Sequence, residues 1–397
     1  MSETKISKGW TLVISAFMIV FAFSTVDHAI SPMVDVLRGV YGILEARVLW
    51  LISYCTAGIV LGLFLGPQLL KTFKIKKVFF CAVLMQLTGL FIFTGVKIFW
   101  LALAVRFLFG LGSGIISTVL WWLTYEAVEK SFYTPMITVL TASRPMAVAA
   151  GVPLVMYGSR HMGWAGAFAL SGAILFIFCF SFAWALPNDN KNKSAFTLKN
   201  VILNYSAALR IPHAKKFFAA MFVNRICYFG FYSMLGIWFI HKYNLTTAQM
   251  AKPLMVIGIC ETAINFIVPF IMKIGQKKLF YASLALNAVV FGVFIWGFMP
   301  LWQSIVFMAF FAMTDRIYNM LLLMFIPKVF PSSNDKTTIG SMVTLVSWTS
   351  LAFVSYMQGS CLDGLGVNAF AAILIVALLG GFVLYMPVLQ KTVFSAK

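Results

Sequence analysis

Eight ionisable side chains stand inside otherwise apolar stretches: Asp27, Arg106, Glu126, Arg144, Arg225, Glu261, Asp315 and Arg316. A charge at the centre of a bilayer costs about 2.5–3.5 kcal/mol on insertion scales, so it needs a partner, a wet cavity or a ligand. A carboxylate in low dielectric can take and release a proton, and losing its charge loosens its hold on a neighbouring cation. A buried guanidinium can meet a carboxylate or a phosphate in a fork. Asp27, Glu261 and Asp315 are therefore candidate proton-coupling acids. Arg144, Arg225 and Arg316 are candidate anion-binding groups. Glu126 falls at a helix end, where water reaches it.

Depth and spacing sharpen these assignments. Arg144 lies roughly 15 Å into its predicted helix, at 1.5 Å per residue, too deep to reach water easily. Glu261 is similarly deep, so an Arg144–Glu261 pair is one arrangement open to the chain. Arg225, Tyr228 and Tyr232 recur at i, i+3 and i+7, one face of a helix. Asp315, Tyr318 and Asn319 form a second polar stripe, with Arg316 pointing about 100° away from Asp315. Either stripe could bind a polar or anionic ligand, or could join two helices through tyrosine hydroxyls. Trp121, Trp122 and Tyr125 fall near a helix end and read first as interface anchors.

The elements that must position these groups are long apolar runs. The 397 residues are 61% hydrophobic and 10% charged, where a soluble domain carries about 25% charged residues. A run of about 20 apolar residues crosses a bilayer as a helix. Such runs predict helices near 9–30, 46–70, 78–95, 98–124, 134–157 and 165–186, then near 217–240, 250–272, 279–298, 300–327, 337–360 and 367–390. The fold class is an all-α membrane protein, with twelve transmembrane helices in two pseudo-symmetric six-helix bundles. The organisation is 1–186 as the first bundle, 187–216 as a cytoplasmic linker and 217–397 as the second. Within the linker, Leu198–Leu209 could lie as an amphipathic helix on the inner surface.

The net charge of +19 could suggest nucleic acid. The basic residues instead sit in short gaps between the apolar runs, where they set topology. With the N-terminus inside, most of them, among them Lys5, Lys8, Lys71, Lys74, Lys76, Lys77, Lys191, Lys273, Lys277 and Lys278, face the cytoplasm. Both termini are thus expected to be cytoplasmic, in a plasma membrane of the bacterial inner-membrane kind. The apolar run after Lys8 reads as an uncleaved first helix rather than a leader peptide. Asn244-Leu-Thr246 is a glycosylation pattern in an outside loop. Six Cys form no Cys-x-x-Cys pair, so neither metal nor a disulfide framework is expected. The four His (28, 161, 213 and 241) lie far apart, and no HExxH or GxSxG occurs, which argues against an intramembrane enzyme. No cofactor is expected. The expected partners are a small-molecule substrate, a proton or other coupling ion and the lipid bilayer, with the chain a monomer.

Four stretches carry a resemblance to a known family. Arg106-Phe-Leu-Phe-Gly110-Leu-Gly112-Ser-Gly114 looks like the fourth-helix motif of the major facilitator superfamily. Gly66-Pro67, leading into Lys71 and Lys74, is similar to its signature loop between helices 2 and 3. Gly163-Trp164 with Ala167-Phe168 looks like its turn into helix 6, and Gly364-Leu-Gly366 precedes the last helix. The resemblance covers nearly the whole chain. It implies that helices 1, 4, 7 and 10 line a central cavity, flanked by 2, 5, 8 and 11, while 3, 6, 9 and 12 face lipid. All eight charges fall on the lining and flanking helices. The family motifs assign Arg106, Gly110, Lys71 and Lys74 to gating. The loop departs from its pattern: Leu70 and Phe73 stand where the family carries an acidic residue and a second glycine. Gly151-Val-Pro153 is a partial likeness to the drug/metabolite:proton antiporter branch.

Six plus six helices around a central site is the layout of a secondary transporter. The expected function is movement of a small organic anion or zwitterion by alternating access, coupled to protons. Multidrug or metabolite efflux by proton antiport is the alternative, and a non-transporting receptor on the same fold is a third.

Overall fold

A computed structural model of the protein describes residues 9–43, 45–48, 50–186, 194–245, 247–296, 299–331 and 336–394. Lys5 and Lys8, the start of the linker with Asp189 and Lys191, and Thr246 of the glycosylation pattern lie outside the described residues.

Lipid offers no hydrogen-bond partners, so the backbone must satisfy itself, and helices do this within one segment. The described residues are almost entirely helical. The elements are α1 (Gly9–His28), α2 (Val34–Tyr41), α3 (Glu45–Val48), α4 (Trp50–Thr72), α5 (Ile75–Gly95), α6 (Phe99–Trp122), α7 (Lys130–Met146), α8 (Val152–Ala185) and α9 (Leu198–Arg210). They continue with α10 (Ala214–Tyr243), α11 (Thr247–Ile271), α12 (Gln276–Trp296), α13 (Leu301–Val329) and α14 (Lys336–Leu389). Among the described residues nine stretches are long and apolar enough to cross a membrane, and one of them, Lys130–Ala185, has 56 residues. Gly163, at φ 73°, breaks α8 inside that stretch and makes it two spans. With α10 and α12 of 30 and 21 residues, the protein has its twelve transmembrane helices.

Two π-helical turns interrupt the α-helices of the first unit. Ala147–Gly151 forms a π-helical turn between α7 and α8. It lies between Pro145 and Pro153, whose missing N–H groups interrupt the ladder. A Cβ on Gly151 would strike Thr25, so α1 closes in on this turn. The second π-turn, Leu123–Ala127, ends α6 and carries Glu126.

The chain forms two compact units: Met1–Ala207 with Asp335–Ser341, and Ala208–Asn334 with Met342–Lys397. In the first, α6 is central and packs on α4 and α5. The glycines make this possible. A Cβ on Gly58 would meet the Phe107 carbonyl, and one on Gly110 the Cys55 carbonyl, so these backbones nearly touch. Gly62 and Gly114 repeat the contact one turn on, a small-xxx-small seam. Gly112 instead faces α5 at Ala82 and Gln86, where Gln86 Nε2 donates to Ser113 Oγ at 2.6 Å. In the second unit α13 packs on α11 and α12. Asn287 Nδ2 on α12 donates to Phe311 O at 3.0 Å and Thr314 Oγ1 at 3.1 Å. Phe231 fills the interior against Phe291 and Phe311, ring centres 5.5 and 4.1 Å away.

The helices expected to face lipid expose large apolar side chains: Phe80 and Leu84 on α5, Phe176 and Phe180 on α8, Leu286 and Val289 on α12, Val376 and Val383 on α14.

Candidate functional site

The second unit gathers its charges at mid-depth. Glu261, on α11, is 2% exposed. Its carboxylate accepts from Tyr228 Oη at 2.7 Å, and from Tyr232 Oη and Arg316 Nε. Arg316 also donates to the Tyr228 hydroxyl. The i, i+3, i+7 stripe on α10 thus turns both tyrosines to one acid. Arg225, on the same stripe, reaches α13 instead: Nη2 lies 3.0 Å from Asp315 Oδ1 and Nη1 3.2 Å from Oδ2. The two guanidinium groups flank one ring, with Arg225 5.0 Å and Arg316 4.9 Å from the Tyr228 centroid. Two acids and two arginines, interleaved by Tyr228, make a cluster with formal charge zero.

Adjacent residues on α13 therefore serve different partners, Asp315 taking Arg225 and Arg316 taking Glu261. Their 100° offset separates the two pairs. Tyr318, also on that stripe, goes elsewhere. It is buried between Phe280 and Tyr385, with centroids 5.0 and 6.1 Å away, and its hydroxyl has no hydrogen-bond partner among the described residues. Asn319 is half-buried.

In the first unit Arg106 and Asp27 form a buried pair. Arg106 Nη2 lies 2.7 Å from Asp27 Oδ1 and Nε 3.4 Å from Leu51 O. The guanidinium rests 5.7 Å from the Phe93 ring centre and 5.2 Å from that of Phe109. Asp27 is the next-to-last residue of α1 and Arg106 the eighth of α6, so this pair sits near helix ends. Arg144 is half-buried, with its guanidinium 5.9 Å from the Phe23 ring centre. Arg106, Arg225 and Arg316 thus each have a carboxylate partner inside their own unit. Glu261 is held by Arg316 within the second unit. Glu126 is exposed, as its helix-end position predicts, and accepts from Thr337 N at 2.9 Å and Thr337 Oγ1 at 2.7 Å, within the first unit.

The signature-loop residues divide. Lys71 donates to Asn204 Oδ1 at 2.8 Å, while Lys74 stands just before α5. Around Lys71 the structure builds a polar clasp that the motifs did not announce. Asn204 Nδ2 donates to Gln68 Oε1 at 2.7 Å, and Gln68 Nε2 to Ser194 Oγ and Ala195 O, both at 2.9 Å. Tyr205 donates to Leu63 O at 2.7 Å and stacks on Phe64. The linker helix α9 is thereby fastened along α4, beside the positions where Leu70 and Phe73 replace the family's acid and glycine. Gln68 inside an apolar span was the one sequence signal for it. Asn224, which accepts from Arg225 Nη2 at 3.1 Å, carried the same signal.

Twelve membrane-crossing helices, with charges buried in pairs and a polar cluster at mid-depth, define a multi-pass secondary transporter. The sequence matches the Major Facilitator Superfamily over residues 12–354, and the chain belongs to that family, whose members move small solutes across membranes. Among solved structures, it is similar to the human organic anion transporter MFSD10 (TETRAN), with a TM-score of 0.74 at 16% identity, covering 95% of this chain and 98% of that one. It is also similar to the proton:xylose symporter XylE, with a TM-score of 0.72 at 12% identity, covering 96% of each chain. Both likenesses show the fold. No curated protein matches the sequence.

Proposed function

We propose that this transporter couples a proton to a small organic anion or zwitterion, with Glu261 as the proton carrier and Arg316 as the anion-binding group it releases. The observation that carries the reading is the Glu261 carboxylate held by Arg316, Tyr228 and Tyr232 together. Protonation removes the charge that holds Arg316. The guanidinium then has donors to offer a substrate carboxylate or phosphate, and the tyrosines add hydroxyls beside it.

Charge balance favours the proton and the anion arriving together. The cluster of Arg225, Arg316, Glu261 and Asp315 is neutral as it stands. An added anion leaves it one charge negative in a medium of low dielectric, which is costly. A proton on Glu261 cancels that charge. Binding of each ligand thus favours the other, which is the thermodynamic content of symport. Asp315, locked on Arg225, and Asp27, locked on Arg106, are the reserve acids. Within the second unit, Asn319 is half-buried on the same helix as Arg316 and is a further candidate contact; Arg144 is the first unit's own anion-binding candidate. Gly110 and Arg106, with the clasp around Lys71 and the neighbouring Lys74, serve the gates. The excess of basic residues in the even-numbered loops supports cytoplasmic termini in a plasma membrane.

The test is uptake by proteoliposomes holding the purified protein, with a panel of radiolabelled carboxylates and phosphate esters under an imposed inward proton gradient. Wild type should accumulate an anion above equilibrium. Glu261→Gln should lose accumulation yet still exchange labelled for unlabelled anion. Gradient-driven accumulation by the variant would remove Glu261 from the coupling role.

A further inference from the structure

The turn joining α9 to α10 builds a second site, outside the bundle interior. Pro212 cannot continue α9, and the chain reverses through Ile211-Pro212-His213. Ile211 N donates to Ala208 O at 3.3 Å and Ala214 N to Ile211 O at 3.1 Å. His213 takes a left-handed φ of 70°, a conformation uncommon outside glycine. This turn brings the last residue of α9 and the first residues of α10 around one open cavity of about 410 Å³, lined by Leu209, Arg210, Ile211, His213, Lys215 and Lys216.

The lining is one-signed. Three fixed cations and a histidine share it, and none of the four side chains has an ion-pair partner among the described residues. The sequence has no acidic residue between Asp189 and Glu261, so nothing nearby along the chain offsets the charge. The remaining lining is aliphatic. Further back on α9, about 12–18 Å along the helix from Arg210, Ile202 and Leu198 are 59% and 65% accessible, one turn apart on the same helix face. Cations sharing a cavity with Leu209 and Ile211, at the end of a membrane-spanning helix, match the boundary between headgroups and acyl chains.

We propose that Arg210, His213, Lys215 and Lys216 seat the phosphate headgroup of an anionic phospholipid drawn from the surrounding bilayer, with Leu209 and Ile211 against its glycerol and upper acyl carbons. A free phosphate would satisfy the cations but leave the aliphatic part of the lining unused. The site is independent of the transport reading, because it shares no residue with the Glu261 cluster.

Native mass spectrometry of the delipidated full chain tests this, with equimolar phosphatidylglycerol and phosphatidylcholine as competing probes. Wild type should retain several-fold more phosphatidylglycerol. The triple variant R210A/K215A/K216A should fall to the phosphatidylcholine level. The charge-preserving variant R210K/K215R/K216R should keep the preference, which separates loss of charge from damage to the turn. The control K277A/K278A, equally basic but in another loop, should keep it too. Equal retention by wild type and the triple variant would overturn the site. So would complete displacement of the lipid by millimolar inorganic phosphate, because the cavity would then be a site for the free ion.

Discussion

Arg225 grips Asp315 through both of its terminal nitrogens, at 3.0 and 3.2 Å, and the other unit repeats the pair with its signs exchanged. Arg225 and Asp315 stand on the seventh and tenth spans. Asp27 and Arg106 stand on the first and fourth, the corresponding spans, 2.7 Å apart but nearer the helix ends. Burial demands that the charges cancel, but is indifferent to which helix supplies the acid. The repeat extends to neutral groups. Gln86–Ser113 ties the third span to the fourth, and Asn287–Thr314 ties the ninth to the tenth. The correspondence lies in which spans are tied together; the charged pairs sit at different depths, Asp315 beside Thr314 but Arg106 seven residues before Ser113.

Removing one partner of the bidentate pair leaves a buried charge uncompensated. Asp315→Asn should cost about 3–5 kcal/mol, whereas Arg225→Met with Asp315→Leu should recover most of it. Melting of the detergent-solubilised variants reads both. An Asp315→Asn variant as stable as wild type would falsify the pairing.

Arg144 is only half-buried, so its loss should harm binding more than folding. Replacing it by Gln removes a charged hydrogen-bond donor, about 1.5–3 kcal/mol, or roughly tenfold and more in substrate affinity. A ligand-induced melting shift measures this once an anionic substrate is in hand. The same shift in Arg144→Gln as in wild type would take Arg144 out of the binding site.

The clasp on α9 predicts a local effect. Asn204→Ala deletes the acceptor of Lys71 and the donor to Gln68, each bond worth about 0.5–1.5 kcal/mol net. Amide hydrogen exchange in Leu198–Arg210 should quicken while α5 and α6 stay protected. Unchanged exchange in α9 would mean that Tyr205 and its stacking on Phe64 hold the helix alone.

Gly110 has no room for a side chain, because its Cβ would fall on the Cys55 carbonyl of α4. Gly110→Leu should lower stability beyond the 1–3 kcal/mol typical of overpacking, since backbone rather than a side chain must move. Gly39→Leu, at a glycine with open space around it, is the control. If both variants express and melt alike, the close seam between α4 and α6 is not real.

Glu261→Gln bears on pH dependence. Gln keeps the side chain's shape but cannot titrate. Wild-type uptake should rise when the proton gradient is steepened, and the variant's should not. Flux measured at several imposed gradients distinguishes them, and parallel responses would assign coupling to another acid.

Hydrophobic length and charge spacing made the helices legible, because a lipid-embedded helix follows from composition alone. The motif Arg106 to Gly114 was legible for a similar reason: glycines four apart face one neighbour, and Gly112 between them faces another. The clasp was not legible. It joins Gln68 to Asn204 across a linker, and neither residue carries a spacing that names the other. The deep arginines were legible as buried charges but not in their pairing: Arg225 and Arg316, two of the three offered as anion ligands, meet carboxylates within their own unit.

By itself the amino-acid order determined that this chain crosses a membrane twelve times and that its ionisable groups stand on particular spans. Those properties follow from local hydropathy, which each segment carries alone. Only the tertiary structure decided that Glu261 belongs to Arg316 and Asp315 to Arg225. Partner choice depends on which helix faces turn toward each other, and two adjacent residues 100° apart on α13 were enough to send neighbouring charges to different partners.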